Sequence, residues 1–190
     1  MARKSYHHGD LREALLRAAE DILRKGGALE ITVREAARRA GVSHNAPYRH
    51  FPNRESLLAA LAERAFMEFA EVLAAAARAP RPETARRNLA DAYVKFALDH
   101  PERYNLMFGD SIPEEYYAPF EPVARKSFET LKEVMARNTP GLKDSVLEDL
   151  AAKQWAQVHG LVSLLLKGQL HFLKPESSPQ KLIARIMDTP

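Results

Sequence analysis

A short polar segment at residues 44–54 concentrates side chains that can hydrogen-bond to a polyanion or to base edges. His44 and Asn45 come first, Tyr48, Arg49 and His50 follow, and an arginine at position 54 ends the segment. Imidazole, amide, phenol and guanidinium groups suit both phosphate oxygens and the edges of base pairs. The segment therefore indicates nucleic-acid binding, with its first side chains directed at bases and its later ones at phosphates.

The residues before this segment predict a helix that ends in a tight turn. Thr32 and Glu35 match a capping box, in which the hydroxyl accepts from the third backbone N–H and the carboxylate reaches back. Alanines at positions 36, 37 and 40 form a small-residue face for another helix, and Gly41 suits the left-handed C-terminal cap. Residues 41–43 then match the short glycine-containing turn of a helix-turn-helix unit.

Two more helix starts follow within a few residues. Ser43 is a suitable N-cap for a second helix from His44 to about Phe51, and Asn53 for a third that begins at Arg54. A brief helix fits a major groove roughly 12 Å wide. The alternative is a three-helix corner of an all-α domain whose polar face is solvated.

The charge distribution agrees with a DNA-binding N-terminal part. Residues 1–54 hold 11 Lys and Arg against 6 Asp and Glu, giving +5, whereas the remainder holds 17 against 19, giving −2. Arg3, Lys4, His7 and His8 form a basic arm that could lie along DNA or be an ordinary disordered terminus. The candidate DNA-binding residues are Thr32, Arg34, Ser43, His44, Asn45, Ala46, Tyr48, Arg49, His50 and Arg54.

Composition excludes several other classes of protein. There is no cysteine, which excludes disulfides, thiol catalysis and Cys-ligated zinc. No signal sequence and no apolar run near the ~20 residues of a membrane span is found, so we expect a protein of the cytoplasm. No H-E-x-x-H pattern and no phosphate-cradling glycine loop is present, so we predict no catalytic residue, metal or cofactor.

Helical periodicity runs through the whole chain, and no strand-like alternation is found. A first helix is expected from Asp10 to about Lys25, with Asp10 and Glu13 as a capping box, and a long one from Arg54 to about Arg78. Further helices are expected at about 83–99, 101–108, 119–137, 145–173 and 179–187. The prediction is an all-α fold of about nine helices, with a DNA-binding domain at residues 1–56 and an effector-binding and dimerisation domain at 57–190.

The segment from Leu11 to Phe66 resembles the N-terminal domain of the TetR (tetracycline-repressor) family of transcriptional regulators. The resemblance lies in an amphipathic first helix, then T-V-R-E-A-A-R-R-A-G-V-S, then Y-R-H-F-P-N-R-E-S-L-L. It implies that Tyr48, His50 and Arg54 contact phosphates and that the turn from His44 to Ala46 faces bases. The chain departs from the common pattern at Ala46-Pro47, where many members carry a small residue and Leu.

The C-terminal half resembles the WHG type of TetR C-terminal domain through Trp155, His159 and Gly160, and the lead-in from Tyr6 to Arg12 is also similar to that type. The resemblance implies a helical ligand-sensing and dimerising domain. Trp155 and His159 lie one turn apart and share a helix face, either as core residues or as part of an effector pocket. The candidate aromatic and sulfur side chains that would line such a pocket with them are Phe96, Tyr104, Met107, Phe108, Tyr116, Tyr117, Phe120 and Phe128.

Broad apolar stripes on the last two helices predict a four-helix seam between two copies of the chain. The seam residues are Leu161, Val162, Leu165, Leu182, Ile183 and Ile186. The resulting expectation is a homodimeric repressor that a small-molecule effector releases from a palindromic operator. An architectural DNA binder without an effector is the alternative, and an all-α enzyme is a more distant one.

Overall fold

The computed structural model describes residues 8–172 and 178–188, and every regular element within them is helical. The α-helices are α1 (His8–Gly26), α2 (Val33–Ala40), α3 (Arg54–Ala76), α4 (Pro82–Asp99), α5 (Pro101–Phe108), α6 (Glu121–Asn138), α7 (Asp144–Leu166) and α8 (Pro179–Asp188). Single 3₁₀ turns occupy Ala28–Glu30, Pro47–Arg49 and Glu114–Tyr116. The predicted all-α class is confirmed, with eight α-helices in the described part of the chain. Arg3, Lys4 and His7 of the predicted basic arm lie outside the described residues.

The chain forms two compact units. The first contains the described residues up to Ala65 together with Glu102–Glu121, and the second contains Phe66–Pro101 and the described residues from Pro122 onward. This division differs from the predicted boundary at residue 56, because the first turns of α3 are tied to α1. Arg64 donates to the carboxylates of Glu13 and Glu20 at 2.6 and 3.1 Å.

The core of the first unit is built where α1 packs against α2. Leu15, Leu16 and Ile22 of α1 and Ala36 and Ala37 of α2 are essentially inaccessible to solvent. The small alanine face of α2 allows the close approach that the sequence predicts. The start of α1 differs from the prediction: the helix begins at His8 and not at Asp10, and the Glu13 carboxylate pairs with Arg64 of α3.

The second unit is organised around α4, which packs against α7 and α8. Arg137 of α6 donates to the carbonyl oxygens of Ala77 and Ala79 at 2.8 Å each, which anchors the turn between α3 and α4. Asn138 adds a bond to the carbonyl of Pro82 at 3.0 Å. Two polar side chains of α6 thus stabilise the turn between α3 and α4. In the sequence this turn is indicated only by its prolines.

Helix α7 ends seven residues before the predicted end at Leu173. Gly168 adopts φ 64°, in the left-handed region that ends helices, and the N–H of Gln169 bonds back to the carbonyl of Leu164 at 2.9 Å. The helix stop was therefore present in the sequence as Gly168. Among the described residues, none of the helices has the length and apolarity to cross a membrane.

Candidate nucleic-acid interface

Helix α2 and the turn after it have the geometry of the first half of a helix-turn-helix. Thr32 Oγ1 accepts from the N–H of Glu35 at 3.0 Å, and Gly41 adopts φ 69° and ψ 29°. The N–H of Val42 reaches the carbonyl of Ala37 at 3.1 Å, which closes the C-terminal cap. The predicted N-cap and C-cap of this helix are both confirmed.

The Glu35 carboxylate does not reach back to the N-cap, as the capping box predicted. It accepts from Arg38 at 2.8 and 2.7 Å and from Arg39 at 2.8 Å. These hydrogen bonds, first that of Arg38 and then that of Arg39, lower the pKa of Glu35 to about 2. The Glu35 carboxylate therefore binds Arg38 and Arg39 and not the backbone N–H of the N-cap. Arg34, by contrast, is exposed on the surface of α2.

The predicted helix from His44 to Phe51 is wrong: only the 3₁₀ turn Pro47–Arg49 forms there. Pro47 has no N–H to donate, and its carbonyl accepts from the N–H groups of both His50 and Phe51 at 2.9 Å. Ser43 does not cap a helix either; its backbone carbonyl accepts from Ala46 at 3.3 Å. This chain therefore presents a compact turn where a helix was expected.

Two buried side chains fix this turn so that its polar residues face outward. Pro47 is fully buried, Phe51 is 2% exposed, and the guanidinium of Arg12 lies 5.5 Å from the Phe51 ring centroid. Seven of the predicted DNA-binding side chains are exposed and three are half-buried. The exposed ones are Thr32, Arg34, Ser43, His44, Asn45, Tyr48 and Arg49, and the half-buried ones are Ala46, His50 and Arg54.

Arg54 is engaged within the protein. Its Nε donates to the carbonyl of Ile31 at 3.0 Å, and its Nη2 donates to the carbonyl of Ala28 at 2.9 Å. Two donors of the predicted phosphate ligand are therefore occupied by the loop that precedes α2. The arrangement assigns Arg54 the role of tying that loop to the start of α3.

Asn53 caps α3, as predicted, and also makes a long-range contact. Its Oδ1 accepts from the N–H of Ser56 at 2.8 Å, and its Nδ2 donates to Tyr116 Oη at 2.6 Å. Tyr116 was predicted among the pocket aromatics, but its hydroxyl binds the capping residue of α3. A partner 63 positions away leaves no trace in local sequence spacing.

A polar contact lies among the aromatic side chains of the second unit. Tyr93 Oη lies 2.9 Å from His159 Nδ1, and Trp155 Nε1 donates to the same hydroxyl at 3.4 Å. The rings of Phe69 and Tyr93 meet edge-on with centroids 5.1 Å apart, and those of Phe128 and Trp155 are 6.1 Å apart. Trp155 and His159 therefore meet, as their spacing predicted, and Tyr93 is the partner that sequence reasoning missed.

The remaining predicted pocket residues are divided between the two units. Phe96 lies in the second unit, with its ring 5.1 Å from that of Phe69. Five others lie in the first unit, where two ring pairs form. These five are Tyr104 and Phe108, with ring centroids 4.9 Å apart, Tyr117 and Phe120, at 5.1 Å, and the buried Met107.

Half-burial lowers the pKa of His159 below its usual 6.5, because desolvation disfavours the charged ring. The unfolded chain consequently takes up this proton first as pH falls, so the free energy of unfolding should decrease below about pH 6.5. Thermal denaturation of the wild type and His159→Gln between pH 8 and 5 tests this. The variant should show the weaker decrease, and equal decreases would contradict the assignment.

Three predicted seam residues do not face outward. Leu161 is 7% exposed, Val162 is 0% and Ile183 is 1%, all within the single chain. Their predicted place in a seam between copies is therefore corrected, because these side chains already fill the core of the single chain. Leu165 and Leu182 are half-buried, and the side chain of Ile186 lies outside the described residues.

Comparison with known proteins identifies the family. Residues 15–61 match the model of bacterial regulatory proteins of the tetR family, and residues 86–189 match the tetracyclin repressor-like C-terminal domain. The HTH-type transcriptional repressor BepR of Brucella suis biovar 1 (strain 1330) is 28% identical over 82% of this chain and 76% of its own.

Solved structures agree over the whole length. A protein of unknown function from Rhodococcus sp. RHA1 is 31% identical, with a TM-score of 0.82 over 98% of this chain and 96% of that one. The regulatory protein SCO4313 is 25% identical, with a TM-score of 0.76 over 98% and 97% of the two chains. The N-terminal helix-turn-helix and the C-terminal domain both match, so this chain belongs to the TetR family of transcriptional regulators.

Proposed function

We propose that the protein is a homodimeric repressor that binds a palindromic operator and leaves it when a small molecule binds the C-terminal domain. The observation that carries the proposal is the turn at residues 44–50, held by Pro47 and Phe51 with its polar side chains exposed. Exposed polar side chains that are held in place by buried apolar residues are suited to binding a polar, charged partner such as DNA. The chain acts by binding in the cytoplasm, without catalysis.

The exposed side chains divide into two groups by chemistry. His44 and Asn45 are exposed just before the 3₁₀ turn and carry groups that can discriminate base edges in the major groove. Tyr48, Arg49 and Arg34 offer a hydroxyl and two guanidinium groups for phosphate oxygens, which fix register without reading sequence. The N–H groups of Arg54 and Glu55, which have no acceptor within α3, add an anion site.

Selection of duplexes from a random pool tests operator recognition. The wild type should enrich an inverted repeat with half-site centres about 10 base pairs, or a multiple of that, apart. Asn45→Ala should change the preferred bases at one position of each half-site, whereas Arg49→Ala should weaken all duplexes alike. Enrichment of no sequence would instead support an architectural DNA binder.

We place the dimer seam on the exposed side of α7. Ala156, Gly160 and Leu164 follow one another at four-residue spacing, and Leu164 is 41% exposed. A Cβ built at Gly160 meets nothing within 4 Å, so this side of the helix is open in the single chain. Leu165, Leu182 and Ile186 are kept as seam residues, as the sequence predicts. We also propose that the C-terminal domain is of the WHG type.

Leu164→Glu should convert the dimer to a monomer, because burying an unpaired carboxylate in a helix seam is strongly unfavourable. Sedimentation velocity at micromolar concentration measures the change. Leu142→Glu is the matched control, since Leu142 is 42% exposed in the turn before α7. A Leu164→Glu protein that still sediments as a dimer would move the seam elsewhere.

The effector site is proposed among the aromatic residues around Tyr93 and His159. A hydroxyl, an imidazole and an indole N–H close together among apolar rings provide few but directional polar groups, as small-molecule sites do. Binding there would favour one of two arrangements of the DNA-binding domains, with a coupling of about 1 to 3 kcal/mol. The alternative, a dimer that only shapes DNA, lacks this response.

A further inference from the structure

The hydrogen bond between Asn53 Nδ2 and Tyr116 Oη, 2.6 Å long, joins the segment after α5 to the N-terminus of α3. We propose that Tyr116 is a positioning residue for operator binding: its hydroxyl fixes Asn53, and Asn53 fixes the first turn of α3. The proposal rests on the proposed function, because the role it assigns is in DNA binding. Both residues belong to the first compact unit.

The orientation of the Asn53 amide follows from its partners. The N–H of Ser56 can only donate, so the atom it contacts at 2.8 Å must be the amide oxygen, and the amide nitrogen therefore faces Tyr116. The Ser56 hydroxyl adds a bond to the carbonyl of Asn53 at 2.8 Å. With both ends of the amide engaged, a single side-chain rotamer of Asn53 is selected.

The segment that carries Tyr116 is held by its own backbone hydrogen bonds. Its N–H bonds to the carbonyl of Pro113 at 3.0 Å within the 3₁₀ turn, and the N–H of Phe120 bonds to the carbonyl of Tyr117 at 3.0 Å. Phe120 is 6% exposed and its ring lies against that of Tyr117. The backbone around Tyr116 is therefore held by hydrogen bonds of its own segment, which do not involve Asn53.

The first turn of α3 is where a small displacement would matter for DNA. The N–H groups of Arg54 and Glu55, at its first two positions, have no acceptor within the helix and suit a phosphate. The turn also begins with Arg54, whose guanidinium donates to the carbonyls of Ala28 and Ile31. A shift of this turn would thus move both the anion site and the loop before α2. Tyr116 affects the anion site and this loop only through its hydrogen bond to Asn53.

The surroundings of Tyr116 favour positioning over direct phosphate contact. Glu114 and Glu115 precede it in the same 3₁₀ turn, and both are exposed. Two carboxylates brought close to the DNA backbone would repel it, so this turn is unsuited to lie on phosphates. Tyr116 therefore acts from behind the DNA-binding surface.

The expected effect is bounded by the free energy of one hydrogen bond. Without the bond, Asn53 and the first turn of α3 occupy additional conformations. The affinity for the operator then falls in proportion to the fraction of molecules whose conformation can bind DNA. The net free energy of a single hydrogen bond limits that loss of affinity to about 2- to 10-fold. Because no phosphate contact is removed, the dependence of the affinity on salt should not change.

Fluorescence anisotropy with an operator duplex, in a salt series, tests the proposal on the full-length chain. Tyr116→Phe should weaken binding about 2- to 10-fold at every salt concentration. Tyr117→Phe, which removes the neighbouring hydroxyl, is the matched control and should bind as the wild type does. In an Asn53→Ser background, where the helix stays capped but the amide is gone, Tyr116→Phe should have no effect.

Three results would overturn the role: an unchanged affinity, a reduced salt slope, or an equal loss in the Asn53→Ser background. Amide hydrogen exchange of residues 54–57 in the DNA-free protein provides an independent readout. It should accelerate in Tyr116→Phe and not in Tyr117→Phe, and equal rates would count against positioning. A wild type that binds no duplex would overturn the proposed function and this role together, whereas a binding wild type matched by Tyr116→Phe overturns the role alone.

Discussion

Replacing Arg54 with alanine is expected to lower the free energy of unfolding by about 2 kcal/mol, since a charged donor contributes about 1.5 to 3 kcal/mol per hydrogen bond. The side chain makes two such bonds, to the carbonyls of Ala28 and Ile31, and it is 30% exposed, which reduces their worth. Arg54→Lys should keep less than half of the stabilisation that the arginine provides, because an ammonium group cannot reproduce the planar arrangement of guanidinium donors. Urea denaturation of the three proteins measures these differences.

The salt dependence of DNA binding separates this structural role from a phosphate contact. If Arg54 acts within the protein, the slope of log K against log salt should be the same in Arg54→Ala and the wild type. Arg49→Ala is the control: Arg49 is exposed, so its loss from both subunits of the dimer should flatten the slope by about 1.8, or about 0.9 per subunit, without affecting stability. A flattened slope with unchanged stability in Arg54→Ala would restore the phosphate contact predicted from the sequence.

Phe69→Ala is expected to destabilise the protein by about 3 to 4 kcal/mol, in the range measured for buried aromatic truncations. Phe69 is 2% exposed, and its ring meets those of Tyr93 and Phe96 at centroid distances of 5.1 Å. The cavity would also release Tyr93, the residue that holds His159. Met67→Ala on the same helix, at a position 52% exposed, is the matched control and should cost less than about 0.5 kcal/mol.

A loss of less than about 1 kcal/mol in Phe69→Ala would mean that the aromatic cluster repacks readily. The link from α3 to Tyr93 and His159 would then be too weak to carry a response to an effector. Intrinsic fluorescence of Trp155, the one tryptophan of the chain, reports the same cluster. It should change in Phe69→Ala and remain unchanged in Met67→Ala.

Features set by neighbouring residues were predictable from the sequence. Thr32 and Asn53 bond to backbone groups three positions away, and Gly41 is needed where φ is 69°. Helix α5 has the predicted bounds, from Pro101 to Phe108, because proline begins it at a first-turn position. Local chemistry of this kind leaves a direct pattern in the sequence.

Features that depend on competition or on distant partners were not predictable. Pro47 suits either a first helical turn or a 3₁₀ turn, and its buried packing favours the latter. Tyr93 meets His159 across 66 positions, and Tyr116 meets Asn53 across 63. Leu161 belongs to an apolar stripe whether it faces its own core or a second copy, so periodicity alone could not assign it.

The affinity of the full-length protein for an operator duplex, measured as a function of salt, tests the central claim most directly. Each phosphate neutralised contributes about −0.9 to the slope of log K against log salt, so two cationic contacts from each half of a dimer give about −3.6. The account predicts a slope at least this steep, with a higher affinity for the selected inverted repeat than for random DNA. Salt-insensitive binding, or no binding to any duplex, would contradict it.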